Sequence, residues 1–263
     1  MKVMKEKKEK PTIHVASCSF GKDSLATILL ALEHNEPLDR VVFSEVMFDH
    51  EKSISGEIPE HIEWVYNVAI PRLESMGVKV DVVKSKWDYV SLCNKVLKKG
   101  NNAGCKYGVQ NCGPCYANSD IKVAPIRTYL SKLRKDYQIV QYVGIAIDEP
   151  IRLERLKGTN KVSLLQKYGY TEQMAKYKCM LNNLLSPIYS MGYSRGGCFF
   201  CFNASIELYI HIRKNYPKYW ELLRELYYQT GSEYFKYDKT FEQVEKEMDL
   251  KEWEDEHQLR LFD

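Results

Sequence analysis

The chain has 263 residues, 44% of them hydrophobic and 28% charged, with a formal net charge of +3. That length supports one large domain, or a domain with a smaller appendage. So weak a basic excess argues against a dedicated DNA-binding domain, though a local patch could hide in the average.

Met1 to Lys10 is lysine-rich and precedes no long apolar segment. Residues 1–11 are therefore expected as a flexible basic tail, not a secretory signal, and no stretch along the chain is long enough to span a bilayer. Ile13 to Ala16 reads as a strand, and Leu25, Ile28, Leu29 and Leu32 recur at helical spacing after it. Arg40 to Val46 has a second apolar strand core. Pro59 to Met76 reads as a helix and Val78 to Val83 as a strand. Lys95 to Gly113 is rich in Lys, Asn, Gly and Cys and predicts a long loop. Ile139 to Ile147 is a long apolar, β-branched run suited to a strand buried on both faces. From Ser205 onward the chain reads as helical, dense in Tyr and Trp, with Pro217 marking a helix start and an acid-rich stretch from Glu242 to Glu256. Strands spaced by helices predict an α/β fold, doubly wound around a mostly parallel sheet, with ligands beyond the carboxyl ends of the strands.

Two segments follow strands at such ends. The first is Ser19-Phe20-Gly21-Lys22-Asp23-Ser24. It fails the Walker pattern, because Ala16 holds the place of the first glycine and Asp23 separates Lys22 from Ser24. Its residues still suit a phosphate. Gly21 permits close backbone approach, Lys22 neutralises charge, Ser19 and Ser24 offer hydroxyls, and Asp23 holds Mg²⁺ or structures the loop. With Ser17 and Phe20, these are the candidate nucleotide-binding residues, and Lys22 and Asp23 the catalytic candidates. An ordinary Ser-capped helix start is the bland alternative, and the flanking strand and helix argue against it. The second segment holds Gly144, Asp148, Glu149, Arg152 and Arg155. If Pro150 opens a helix, Arg152 and Arg155 share a face and could grip an anion bidentately; the alternative is a surface helix with ion pairs to Glu149 and Glu154.

Eight cysteines point to the cytoplasm and reduced thiols, and their clustering to a metal site rather than a disulfide framework. Cys112-Gly-Pro-Cys115 and Cys198-Phe-Phe-Cys201, 82 residues apart, can supply four thiolates to one centre. Four thiolates serve zinc or iron–sulfur alike. A 4Fe–4S cluster is the first expectation, shielded by Phe199, Phe200 and Phe202, and Zn²⁺ the alternative. Cys105 is a candidate reactive thiol or substitute ligand. Cys18, Cys93 and Cys179 read as buried structural residues. Lys95, Lys98, Lys99 and Lys106 form a basic stretch that is either a solvated loop or a phosphate-backbone contact.

Ser-x-Gly-Lys-Asp-Ser after a first strand resembles the pyrophosphatase-type loop of the adenine nucleotide α-hydrolase superfamily. More specifically the chain resembles the phosphoadenosine phosphosulfate (PAPS) reductase family. Further support comes from Gly144 to Glu149 with Arg152, Cys115 with Lys122, and Leu185 to Tyr189 followed by Arg195-Gly196-Gly197-Cys198-x-x-Cys201. The resemblance spans roughly residues 12–205. It implies a nucleotide-binding domain over 12–204, a helical extension over 205–263, and ATP cleavage at the α phosphate with Mg²⁺, adenylating an acceptor. The long spacing between cysteine pairs resembles the iron–sulfur members, which have adjacent cysteines where this chain spaces Cys112 and Cys115. No cysteine follows Cys201, so the tail nucleophile of thiol-dependent PAPS reductases is absent. That turns the expectation toward sulfur transfer, as in DNA phosphorothioation sulfurtransferases. PAPS reduction with sulfite release, and a non-catalytic nucleotide- or nucleic-acid-binding module with a structural metal, are the alternatives. The partners expected are an adenine nucleotide (ATP, with PAPS the alternative), a nucleic acid or sulfur-donor protein, and a second copy of the chain; no membrane is expected.

Overall fold

The computed structural model describes residues 10–100, 103–194 and 196–259. Most of the expected basic tail, Arg195 and the last four residues lie outside that range. The strands are Thr12–Cys18 (β1), Arg40–Glu45 (β2), Met47–Asp49 (β3), Ile54–Ser55 (β4), Val80–Lys84 (β5), Gln138–Val143 (β6) and Lys161–Val162 (β7). Contacts divide the chain into two compact units. One takes the chain as far as Ser44, Glu63–Val83 and Ala124–Arg195; the other takes Glu45–Ile62, Lys84–Val123 and the chain from Gly196 on.

The first unit is built on a sheet ordered β5-β2-β1-β6-β7. β1 runs parallel to β2 and to β6, and β6 parallel to β7. The fold is thus α/β with a mostly parallel sheet and flanking helices, as expected. Strand order climbs outward from β1 in both directions, which makes the carboxyl ends of β1 and β6 the switch point of the sheet, the usual place for a ligand. Ile13, Val15, Val42, Leu130 and Ile139 pack as one buried cluster, joining β1, β2 and β6 to the Ala124–Leu133 helix. The Lys22–Glu33 helix carries Leu25, Ile28 and Leu30, all fully buried, and packs on the Glu172–Leu181 helix. Each such side chain contributes about 1.5–3 kcal/mol by leaving water.

Two expectations change. The strand expected over Ile139 to Ile147 ends at Val143. The chain turns at Gly144, the Ile145 N–H donates to the Val143 carbonyl at 3.1 Å, and Ile147 is exposed. Apolar content persists through the turn because Ile145 and Ala146 remain buried off the strand. The helix expected from Pro59 runs as Pro59–Trp64 and Ile70–Ser75 around a wide π turn at Val65–Ala69. Pro71 accounts for it: proline has no N–H for the ladder and its ring crowds the preceding turn.

The second unit holds the β3–β4 antiparallel pair, the short Tyr89–Cys93 helix, a π turn at Asn118–Val123, and the helices Ile206–Asn215, Pro217–Thr230 and Phe241–Leu259. From Ser205 onward the chain is helical as expected. Ser205 caps the first by accepting the Leu208 N–H at 3.3 Å. Pro217 opens the second, and Gly231 closes it at φ 66, the left-handed conformation that glycine adopts freely. Trp220 is buried against Tyr209 and Phe241, whereas Tyr228 and Trp253 are exposed. The acid-rich stretch is the last helix, paired through Asp249 and Glu252 to Arg213 and through Glu245 to Arg224. Among the described residues no helix is long and apolar enough to cross a membrane.

Candidate functional site

The loop at the carboxyl end of β1 is held by its own side chains. The Ser24 hydroxyl accepts the Ser19 N–H at 3.2 Å and donates to the Gly21 carbonyl at 3.0 Å; the Phe20 N–H donates to the Cys18 thiol at 3.2 Å. Phe20 sits at φ 56 and buries its ring against Phe43, and this anchors the turn into the helix at Lys22. Ser17 accepts the Gln141 side-chain amide at 2.7 Å, so it ties β1 to β6.

Gly144 explains itself here. A Cβ at that position would stand 2.6 Å from the Asp23 carbonyl carbon and from the Ser24 nitrogen. Only glycine lets the end of β6 lie this close to the loop that follows β1.

Lys22 is buried, and its ammonium donates to Asp23 Oδ2 at 2.9 Å and to Glu172 Oε2 at 2.5 Å. Burial alone would lower its pKa, but these two carboxylates outweigh burial and hold it above the ordinary lysine value. Burial pushes the Asp23 carboxyl up; Lys22 offsets part of this, and Glu172 and Glu149 add repulsion. The Lys22 N–H donates to the Tyr189 hydroxyl at 3.0 Å, and its carbonyl accepts the Cys179 thiol at 3.1 Å. Asp148 accepts the Glu172 N–H at 3.1 Å, which places Glu172 at the lysine.

Asp148 and Glu149 therefore join the loop's surroundings, and Arg152 is attached to them through Glu149. Pro150 does open a helix, Pro150–Glu154, but Arg155 only caps its end. Arg152 is exposed and pairs with Glu149, whose other oxygen accepts the Ala146 N–H at 3.1 Å. Arg155 is exposed as well.

The cysteine segments lie in the second unit. The Cys198 thiol is pushed well above its ordinary pKa by burial and by Glu57, with Cys201 and Cys115 adding to the rise and Lys122 opposing it. Cys201 and Cys115 thus lie within electrostatic reach of Cys198. The Cys198-Phe-Phe-Cys201 turn buries Phe199 and Phe200 against Phe48 and is tied off where Tyr209 donates to the Cys201 carbonyl at 2.7 Å. Cys112 is exposed, and with the exposed Cys105 it lines a cavity of about 480 Å³ together with Tyr107, Gln110, Tyr116 and Ser232. As a donor set, neighbouring thiols and an orphaned, buried carboxylate oxygen on Glu57 suit a cation. The described side chains nonetheless stand wider than a coordination shell: no three His, Cys, Asp or Glu among them are grouped to hold one ion. Cys18, Cys93 and Cys179 are buried, as expected, and burial raises the thiols of the last two to about 12. Of the basic stretch, Lys106 donates to the Gln229 carbonyl at 2.8 Å and Lys95 lies over the Trp87 ring.

Glu172, Tyr189 and Cys179 are the loop partners that sequence reasoning missed as site residues. All reach Lys22 from more than 140 positions away; Tyr189 closes the Leu185 to Tyr189 segment of the resemblance, but no local pattern gives any of the three a place at the loop.

No family model matches the chain. An uncharacterised protein of Methanocaldococcus jannaschii is 22% identical over 224 residues, which take in 82% of this chain. The match covers 41% of that relative, so the chain spans less than half of its length. Among solved structures, the U34-tRNA thiolase NcsA from Methanococcus maripaludis, with its 4Fe–4S cluster, covers 84% of this chain and 72% of its own at 14% identity and a TM-score of 0.39.

Proposed function

We propose that the chain binds an adenine nucleotide at the β1 loop, cleaves ATP between its α and β phosphates, and adenylates an acceptor in the service of sulfur transfer. The observation that carries the reading is Lys22, buried in the first turn of a helix that begins beside the switch point of the sheet, with Gly144 holding the second strand end against it. A helix start offers amides and a positive dipole end to a phosphate. Asp23 and Glu172 are the carboxylates that would hold Mg²⁺, which supplies charge neutralisation at phosphate oxygens. Lys22, released from those carboxylates, pairs with the pyrophosphate. Tyr189 and Cys179 keep the Lys22 backbone in place while its side chain changes partners. The acceptor attacks the α phosphorus, the bond to the β-phosphate oxygen breaks, and pyrophosphate leaves. Rate comes from positioning and fixed charge.

The thiols of the two Cys-x-x-Cys pairs are the proposed metal-binding group, a 4Fe–4S cluster with zinc as the alternative, and Cys105 a reactive thiol for sulfur. A bound cluster would supply electron or sulfur chemistry. A nucleic acid or a sulfur-donor protein would be the partner.

Labelled ATP with Mg²⁺ and candidate acceptors tests the reaction. Pyrophosphate and an adenylated product are expected. Release of ADP and phosphate, or intact ATP with every acceptor, refutes it, and sulfite release from PAPS would favour the reductase alternative.

A further inference from the structure

The Glu172–Leu181 helix turns its large apolar side chains outward. Its buried residues are small, Ala175 and Cys179, and it packs on the Lys22–Glu33 helix. Met174, Tyr177, Met180 and Leu181 are between 43% and 77% exposed. At three- and four-residue spacing they form one outward stripe. Ile151 is exposed too, and the segment before it is tied to the start of this helix: the Ile147 N–H donates to the Tyr170 carbonyl at 2.9 Å and the Glu172 N–H to Asp148 at 3.1 Å. An apolar stripe on a globular surface marks a contact site.

The surroundings of the stripe are basic. Between Pro150 and Leu181 seven Lys and Arg stand against two Glu, in a chain whose whole net charge is +3. Arg152, Lys157, Lys167 and Lys178 are paired, whereas Arg155, Lys161 and Lys176 are in no ion pair among the described residues. Helical spacing puts Lys176 beside Met180, on the border of the stripe.

The last helix has the complementary surface. Phe241–Leu259 carries eight Asp and Glu against two Lys. Arg213, Arg224, Lys239 and Lys251 answer five of those acids, and Glu254 and Glu256 are in no ion pair among the described residues. Leu250 and Trp253 are more than half exposed on the same helix, with Glu254 next to them, and the Trp253 ring is held against His257 at a centroid distance of 4.1 Å. An exposed tryptophan held in place this way is a ready interface anchor. Three of the four stripe side chains on the basic face offer no plane for a base to stack on, so an apolar helix face edged with carboxylates fits it better than a nucleic acid does.

We propose that the Met174, Tyr177, Met180 and Leu181 stripe of one copy of this chain receives the Leu250 and Trp253 face of a second copy's last helix, with Lys176 set against Glu254. The two surfaces differ, so the contact is head-to-tail: two copies close on each other where the rotation allows, and longer chains form where it does not.

Sedimentation of the whole chain over a range of concentrations tests this. Reversible association is expected, weakened about tenfold or more between low salt and about 0.5 M salt. Tyr177→Glu and Trp253→Lys, each at an exposed position, are each expected to sediment as a folded monomer, with circular dichroism and melting to check the fold. An equimolar mixture of the two is expected to associate again, because each supplies the face the other lacks. Glu254→Lys changes charge alone and is expected to weaken association about tenfold, with recovery when Lys176→Glu is added. A wild-type chain that stays monomeric up to about 1 mM overturns the proposal, and so does association that neither Tyr177→Glu nor Trp253→Lys alters. A monomer that binds single-stranded RNA and loses it in Tyr177→Glu also overturns it and gives the stripe to nucleic acid.

Discussion

Gly144→Ala should displace the phosphate-type loop without touching any charged group. The new methyl carbon would meet the Asp23 carbonyl carbon and the Ser24 nitrogen at 2.6 Å and the Asp23 oxygen at 2.8 Å. Ordinary contact begins at 3.4 Å, so the loop or the β6 end must retreat by about 0.8 Å. The obstacles are backbone atoms in the first turn of the Lys22–Glu33 helix, and no side-chain rotation relieves them. Overpacking of this kind costs about 1–3 kcal/mol, read as a lower urea midpoint at unchanged slope. A displacement near 1 Å in a positioning element costs about 100-fold in rate. On the proposed reaction, pyrophosphate release should therefore fall by about two orders of magnitude while the variant stays folded. An alanine variant with wild-type midpoint and wild-type turnover would show that the strand end does not set the loop.

Three further outcomes are open to measurement. Asp23 keeps its proton to a higher pH folded than its ordinary 3.8, so the folded state binds more protons there and stability falls as pH rises from 3.8 through the raised value; Asp23→Asn should remove that fall, and equal acid-range urea profiles for both proteins would refute it. Native alkylation followed by mass mapping should modify Cys105 and Cys112 first and spare Cys18, Cys93 and Cys179; labelling of Cys179 as fast as Cys105 would contradict its burial. Trp220→Ala should lower stability by about 3–5 kcal/mol, since Trp220 is 1% exposed and its indole N–H donates to Glu245 at 2.8 Å; a loss under about 1 kcal/mol would mean the helical core does not depend on it.

The sheet and its first helix were legible because their signals are local. A β-branched run, a polar loop and apolar residues at helical spacing place β1, the turn and the Lys22–Glu33 helix within a few residues. Local composition fails where an element ends for a tertiary reason. Nothing in Ile139 to Ile147 announces that the strand stops at Val143, because Gly144 is required by a loop some 120 positions earlier. The same limit governs the site. Lys22 stands out in the sequence as a candidate cation, but its carboxylate partner Glu172 and its hydroxyl partner Tyr189 are brought in by other helices.

On the proposed function, the charge around Lys22 makes a demand of its own on the nucleotide. One ammonium is held by Asp23 and Glu172, Glu149 lies within electrostatic reach of Asp23, and Asp148 is fastened to the Glu172 amide. Even with Arg152 paired to Glu149, these four carboxylates outnumber the two cations, so a bare triphosphate arriving here must both break the lysine's ion pairs and face their negative charge. A close pair of unit charges is worth about 1 kcal/mol in water and about 4 at an effective dielectric of 20. Each uncompensated pair thus lowers affinity by a factor between about 5 and about 1,000. A nucleotide that arrives with Mg²⁺ answers the carboxylates and frees Lys22 in one exchange. ATP affinity, measured by calorimetry, should therefore drop by at least about tenfold when Mg²⁺ is removed with a chelator. Glu172→Gln should narrow that gap by relieving one repulsive partner. If ATP binds equally with and without Mg²⁺, the carboxylates do not face the triphosphate, and the nucleotide belongs elsewhere on the fold.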